Sequence, residues 1–166
     1  MPFAHPIKPI ALVERMNISD FLTPADVLID FRAADKRQLL QELSRHAAHA
    51  KKLDANEISQ AIFKREELGS TGVGGGVAIP HARIANLKDA FGVMMRLRKA
   101  INFEAVDGQP VDLVFLLLLP ERAEGTHLNA LAAIARRLRE THRVQALRQV
   151  REAASLYHTV TLAYHH

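Results

Sequence analysis

His81 has the richest chemical surroundings in the sequence. It follows Pro80 directly and stands five residues after the run Gly69-Ser70-Thr71-Gly72-Val73-Gly74-Gly75-Gly76. Proline fixes its own φ and restricts Ile79 to an extended shape. The imidazole is thereby presented from a stiff strand end. A neutral imidazole can attack phosphorus at physiological pH, because the ordinary imidazole pKa is about 6.5. The glycines at 72, 74, 75 and 76 let the backbone turn sharply, and successive free N–H groups can form an anion-binding concavity. A tight loop between a helix and a strand explains the same glycines, and their number does not separate the two readings. A lone histidine is more often structural than reactive, but this neighbourhood suits a nucleophile beside an anion.

Two nucleotide motifs fail on this loop. A Walker-type loop needs Gly-Lys-Ser/Thr after four intervening residues. Gly69 and Gly74 fit the spacing, but Gly75 and Gly76 stand where Lys and Ser/Thr are required. The dinucleotide fingerprint needs Gly or Ala at position 77, which is Val77, and a preceding strand, where a helix is expected. His127 is placed just inside a predicted helix N-terminus, where anions are favoured and an imidazole N–H could donate to a phosphoryl oxygen. By position alone it reads as an ordinary first-turn residue. His46 and His49 lie three apart on a predicted helix without an evident third metal ligand, and His142 and His158 read as surface residues. No metal or cofactor is expected.

The elements that must position these residues follow from periodicity. Val27 to Phe31 reads as a strand. Asp35 caps a helix carrying Leu39, Leu40, Leu43 and Ala47. Asp54, with Glu57 in a capping-box pattern, starts another carrying Ile58, Ala61 and Ile62, and Gly69 is placed to end it. Val77 to Ile79 and Phe91 to Leu97 read as strands. Val111 to Leu119 is nearly all apolar, as for a central strand buried on both faces. Thr126 and Thr141 cap two more helices, and Ala153 to Tyr157 forms a last short one. The predicted order is β-α-α-β-β-β-α-α. That mixture implies an α/β fold with a mixed central sheet flanked by helices on both faces. Residues 1–16, with Pro2, Pro6 and Pro9, read as a flexible tail, 17–158 as one domain and 159–166 as a C-terminal tail.

Composition sets outer bounds. A chain of 166 residues with 48% hydrophobic residues suits one domain with a sizeable core. No cysteine is present, which excludes disulfides and thiolate chemistry and fits a reducing compartment. Zero Trp and 5% aromatics argue against a base-stacking surface. The formal charge of +4 allows an acidic partner or an anionic ligand. The late arginines 136, 137, 139, 143, 148 and 151 read as a solvated helix face rather than a nucleic-acid patch. No membrane span or signal peptide is evident, so a cytoplasmic protein is expected.

The segment Arg65-Glu66-Glu67-Leu68-Gly69-Ser70-Thr71-Gly72-Val73-Gly74-Gly75-Gly76-Val77-Ala78-Ile79-Pro80-His81-Ala82-Arg83 resembles the phosphorylation-site signature of the enzyme IIA fructose/mannitol family of the bacterial phosphotransferase system. His127-Leu128-Asn129-Ala130-Leu131-Ala132-Ala133-Ile134-Ala135 resembles the family's second-histidine helix. Ile18-Ser19-Asp20-Phe21-Leu22-Thr23-Pro24 resembles the start of its nitrogen-related branch. The resemblance covers about residues 17–158.

It implies that His81 is phosphorylated, on Nε2, that His127 donates a hydrogen bond to the phosphoryl group, and that Arg65 offsets its charge. Ser70, Thr71, Gly72, Gly74, Gly75 and Gly76 would form the phosphoryl-binding loop. It implies a phosphotransferase component, mainly regulatory, with a histidine-containing phosphocarrier protein as donor and protein targets sensing its state. Neither nucleic acid nor membrane insertion is expected as a partner; a homodimer is left open. A sugar-uptake enzyme IIA feeding a separate enzyme IIB is the alternative. The chain has no room for an attached enzyme IIB or membrane channel, which favours regulation. A third alternative, a non-phosphorylated binding module on the same fold, is opposed by intact His81, His127 and Arg65.

Overall fold

A computed structural model describes residues 16–122 and 125–162, so residues 1–15 of the expected N-terminal tail and 163–166 of the expected C-terminal tail lie outside the described residues. The elements run β1 (Val27–Phe31), α1 (Lys36–Lys51), α2 (Ala55–Glu67), β2 (Gly72–Gly74), β3 (Val77–Ala78), β4 (His81–Ile84), β5 (Phe91–Ile101), β6 (Val111–Pro120), α3 (Gly125–Arg137), α4 (Thr141–Gln149) and α5 (Ala153–Thr161). The Asp35 side chain accepts from the Gln38 N–H at 2.8 Å and that of Asp54 from the Asn56 N–H at 2.7 Å. Each such cap stabilises its helix by about 1 kcal/mol.

β6 organises the molecule. It pairs antiparallel with β5 and parallel with β3 and β4. β1 lies parallel to β5 on the other side, and β2 closes a hairpin with β3. Successive strand residues point to opposite faces. Leu113, Phe115, Leu117 and Leu119 therefore enter a core with Ile134, Leu147, Leu156 and Val160 of α3, α4 and α5. Val114, Leu116 and Leu118 enter a second core with Leu40, Leu43, Ile58 and Ile62 of α1 and α2. A strand buried on both sides needs this unbroken apolar run. The result is the expected mixed sheet with helices on both faces.

Two strands escape the sequence pattern. β2 is Gly-Val-Gly, which has no strand propensity of its own. Gly75 and Gly76 hold φ of +67° and +79° between paired Gly74 and Val77, the geometry of a two-residue hairpin turn, and this turn supplies the pairing. β4 is only four residues long and alternates polar His81 and Arg83 with buried Ala82 and Ile84. α3 begins at Gly125, so Thr126 lies within its first turn, and Glu140, not Thr141, occupies the cap position of α4.

The solvated-face reading of the late arginines fails for Arg143, which is 1% exposed. Its Nε donates to Glu140 at 2.7 Å, and its Nη1 to the carbonyls of Thr159 and Leu162 at 2.7 and 2.6 Å. Arg137 donates to the carbonyls of Val160 and Leu162 at 3.0 and 2.9 Å. These are end-of-helix carbonyls without intrahelical partners. α5 runs three residues beyond the domain end expected at residue 158, and Val160 is fully buried. Residues 159–162 thus belong to the packed unit.

Candidate functional site

β4 pairs with β6 alone among the described strands, which leaves its other edge open. α2 packs along it. A cleft of about 560 Å³ lies at this edge, walled by Lys64, Arg65 and Leu68 at the end of α2, His81 and Arg83 on β4, and Leu128 and Leu131 on α3. Among the described residues, its lining includes three cations and no carboxylate. Leu68 is 83% exposed and Leu128 50% exposed, so the rim is apolar.

His81 sits half-buried in that cleft, with Nδ1 2.9 Å from the carbonyl oxygen of Ile79. A carbonyl only accepts, so in the neutral ring this bond selects the tautomer with the proton on Nδ1 and the lone pair on Nε2. The Ile79 carbonyl is available because Ile79 and Pro80 fall between β3 and β4, outside the regular ladder. The strand nevertheless stays in register, with Val77 opposite Leu113 and His81 opposite Leu117.

Arg65 reaches the same cleft from α2. Its Nη1 donates to the Gly69 carbonyl at 2.9 Å, which steadies the chain where α2 ends. His127 is half-buried in the first turn of α3. It stands one turn before Leu131 and so shares its helix face. Its Nδ1 is buried without a hydrogen-bond partner among the described residues. The structure thus brings Arg65 and His81 into one cleft and sets His127 on the helix that walls it.

The glycine loop is placed differently. Its tip pairs near Leu113, four residues along β6 from the partner of His81, or ~13 Å at the usual rise per strand residue. The Gly75 N–H is not free; it donates to Asp107 Oδ2 at 3.0 Å. That bond and the Gln109 N–H hold the Asp107 carboxyl below its ordinary value. Arg148 clamps the tip, donating to the Gly75 carbonyl at 2.7 Å and to Asp112 at 2.9 Å. Gly74 and Gly75 line a separate cavity with Arg139 and Arg148. Ser70 Oγ donates to the Phe103 carbonyl at 3.1 Å and accepts the Gly72 N–H at 3.1 Å. Thr71 is 4% exposed, with its hydroxyl donated to Glu66. Gly72 is pressed against Ala105, 2.8 Å from where a Cβ would stand. Structural bonds therefore occupy this segment, and its tip lies at the far end of β3 from His81.

Sequence reasoning passed over Lys64, Arg83 and the apolar wall. Arg83 carried a readable signal: two residues after His81 on one strand, it must share the face of His81. His46 bonds Asp26 through Nε2 at 2.9 Å. Among the described residues, no helix is long and apolar enough to cross a membrane.

A nitrogen regulatory protein of Bradyrhizobium diazoefficiens is 44% identical over 147 residues, covering 89% of this chain and 96% of that protein. One from Pseudomonas aeruginosa is 35% identical over 146 residues, covering 87% and 95%. The crystal structure of nitrogen regulatory protein IIA-Ntr from Neisseria meningitidis superposes with a TM-score of 0.83 at 35% identity, covering 87% of this chain and 99% of that one. Residues 20–162 match the family described as phosphoenolpyruvate-dependent sugar phosphotransferase system, EIIA 2, and the chain belongs to that family.

Proposed function

We propose that the protein is a cytoplasmic phosphohistidine carrier in nitrogen-related regulation. It accepts a phosphoryl group from a histidine-containing phosphocarrier protein and acts on protein targets through its phosphorylation state. The observation that carries the reading is the His81 hydrogen bond to the Ile79 carbonyl, which in the neutral ring leaves Nε2 unprotonated in a cleft walled by cations.

In the transfer, the Nε2 lone pair attacks phosphorus as the donor's N–P bond breaks. The electrons of that bond return to the donor imidazole. The Nδ1 proton stays where it is, held by Ile79. The transition state is loose and in line, so positioning and charge stabilisation do most of the work. Arg65, Lys64 and Arg83 offset the phosphoryl charge, and His127 donates a hydrogen bond to a phosphoryl oxygen. The names of the relatives that span nearly their whole length with this chain support the regulatory branch over sugar uptake.

Incubation with phosphorylated carrier protein tests this. The wild type should gain one acid-labile phosphoryl group, mapped to His81, and His81→Ala should gain none. Free and phosphorylated protein, used as baits, should retain different partners. Unchanged labelling of His81→Ala would remove the assignment, and identical partners for both forms would remove the regulatory half.

A further inference from the structure

We propose that Glu66 and Thr71 are positioning residues that set the tautomer of His81 through the Ile79 backbone. The inference rests on His81 being the phosphoacceptor. Glu66 is in the last turn of α2, its side chain 6% exposed and paired with Lys36 at 2.9 Å. Its carboxylate takes two bonds from one residue: the Thr71 hydroxyl donates to Oε1, and the Thr71 N–H to Oε2 at 3.2 Å. The Thr71 carbonyl in turn accepts the Ile79 N–H at 2.9 Å. The Ile79 carbonyl accepts the His81 Nδ1–H at 2.9 Å. A buried carboxylate on a helix is therefore joined to the nucleophile through three successive hydrogen-bonded steps.

Each step has a physical reason. Ile79 lies between β3 and β4, and Pro80 has no N–H. The Ile79–Pro80 peptide thus has no donor, and Ile79 is anchored through its own N–H, in the preceding peptide unit, which donates to the Thr71 carbonyl. Thr71 lies between α2 and β2, outside both elements, and Glu66 holds it there. Holding the Ile79 N–H restrains the backbone of Ile79, whose carbonyl, in the next peptide unit, meets Nδ1, and which ring nitrogen carries the proton is set by the bond the other makes. If the carbonyl swings away, Nε2 can take the proton, and a protonated Nε2 has no lone pair for phosphorus. Removing the outer partners of a metal-ligating histidine typically costs ~10–100-fold in activity, and the same coupling predicts a loss of about tenfold here.

Thr71→Val removes the hydroxyl at nearly constant volume, and Thr71→Ser keeps it. The ring-nitrogen chemical shifts of His81, read by 15N NMR on unphosphorylated protein, report the tautomer directly. In wild type and Thr71→Ser, Nδ1 should carry the proton. In Thr71→Val and the milder Glu66→Gln, the shifts should move towards a mixture of tautomers. The kcat of phosphotransfer should fall about tenfold in Thr71→Val, with KM for the donor unchanged, and Thr71→Ser should restore it. An unchanged tautomer in both Thr71→Val and Glu66→Gln overturns the inference while leaving His81 as phosphoacceptor. So does a Thr71→Ser variant as impaired as Thr71→Val. If His81 of the wild type accepts no phosphoryl group, the phosphocarrier reading fails, and the NMR shifts alone decide whether the relay sets the tautomer.

Discussion

At the scale of single residues, the proposed transfer separates a group that would bond to phosphorus from groups that would only stabilise charge. His81 commits Nδ1 to a carbonyl and so offers one reactive nitrogen. Arg65 commits one arm of its guanidinium to Gly69, which restrains the fork without neutralising it. Removing one well-placed donor from a developing charge typically costs about 2.7–4 kcal/mol, or ~10²–10³ in rate. Arg65→Ala and His127→Ala should each lower the single-turnover rate of transfer by about that much, while label still appears on His81 alone. Quench-flow with radiolabelled donor measures this, and a wild-type rate in either variant would take that residue out of the site. Arg65 and His127 were legible as candidates only through the resemblance, because unusual residues surround them in fixed order. The spacing of Arg83 from His81 was readable too, but it speaks only once β4 is known to be a strand, and β4 is too short to show a pattern.

At the scale of elements, the glycine segment shows where sequence reading stops. Glycine serves an anion cradle and a hairpin equally, and only pairing partners distant in sequence decide between them. Those partners are Asp107, Asp112 and Arg148, which hold the Gly75–Gly76 tip at the far end of β3 from His81. By contrast, the apolar run of β6 could mean little except a central strand, and it was readable at once. A residue with a side chain costs roughly 1–2 kcal/mol in the left-handed region. Gly75→Ala, at φ +67° with nothing within 4 Å of the new Cβ, should lose about that much stability. At Gly76 the Cβ would stand 2.4 Å from Arg148 Nη2. That group is pinned by its bonds to Asp112 and Gly75, so Gly76→Ala should lose a further ~1 kcal/mol. Both variants should transfer phosphate at the wild-type rate once folded. A transfer defect without a stability defect would restore the loop to the phosphoryl site.

At the scale of the whole molecule, the two cores depend on the chain to different depths. Among the described residues, the α1–α2 core is assembled from residues that begin near Leu28, and nothing beyond β6 enters it. The opposite core is completed only by α5, whose Leu156 and Val160 are fully buried and which packs on β1 and on the turns at Ile18–Asp20 and Pro24–Asp26. Arg143 secures this closure, since its buried guanidinium takes the carbonyls of Thr159 and Leu162. A chain ending at His158 would lose Val160, worth about 1.5–3 kcal/mol of burial. It would also strip two carbonyl acceptors from a buried cation, and a hydrogen bond to a charged group is typically worth about 1.5–3 kcal/mol. These losses overlap, because Val160 and the two carbonyls leave together. We expect a chain ending at His158 to be at least ~3 kcal/mol less stable than one ending at Leu162, by urea unfolding. Arg143→Ala should destabilise the longer chain more than the shorter one, because the Thr159 and Leu162 carbonyls are already gone from the shorter chain while the bond to Glu140 is common to both. Equal midpoints for the two chain lengths would mean that α5 is not the closing element, and additive losses would mean that Arg143 acts through other partners than the end of α5.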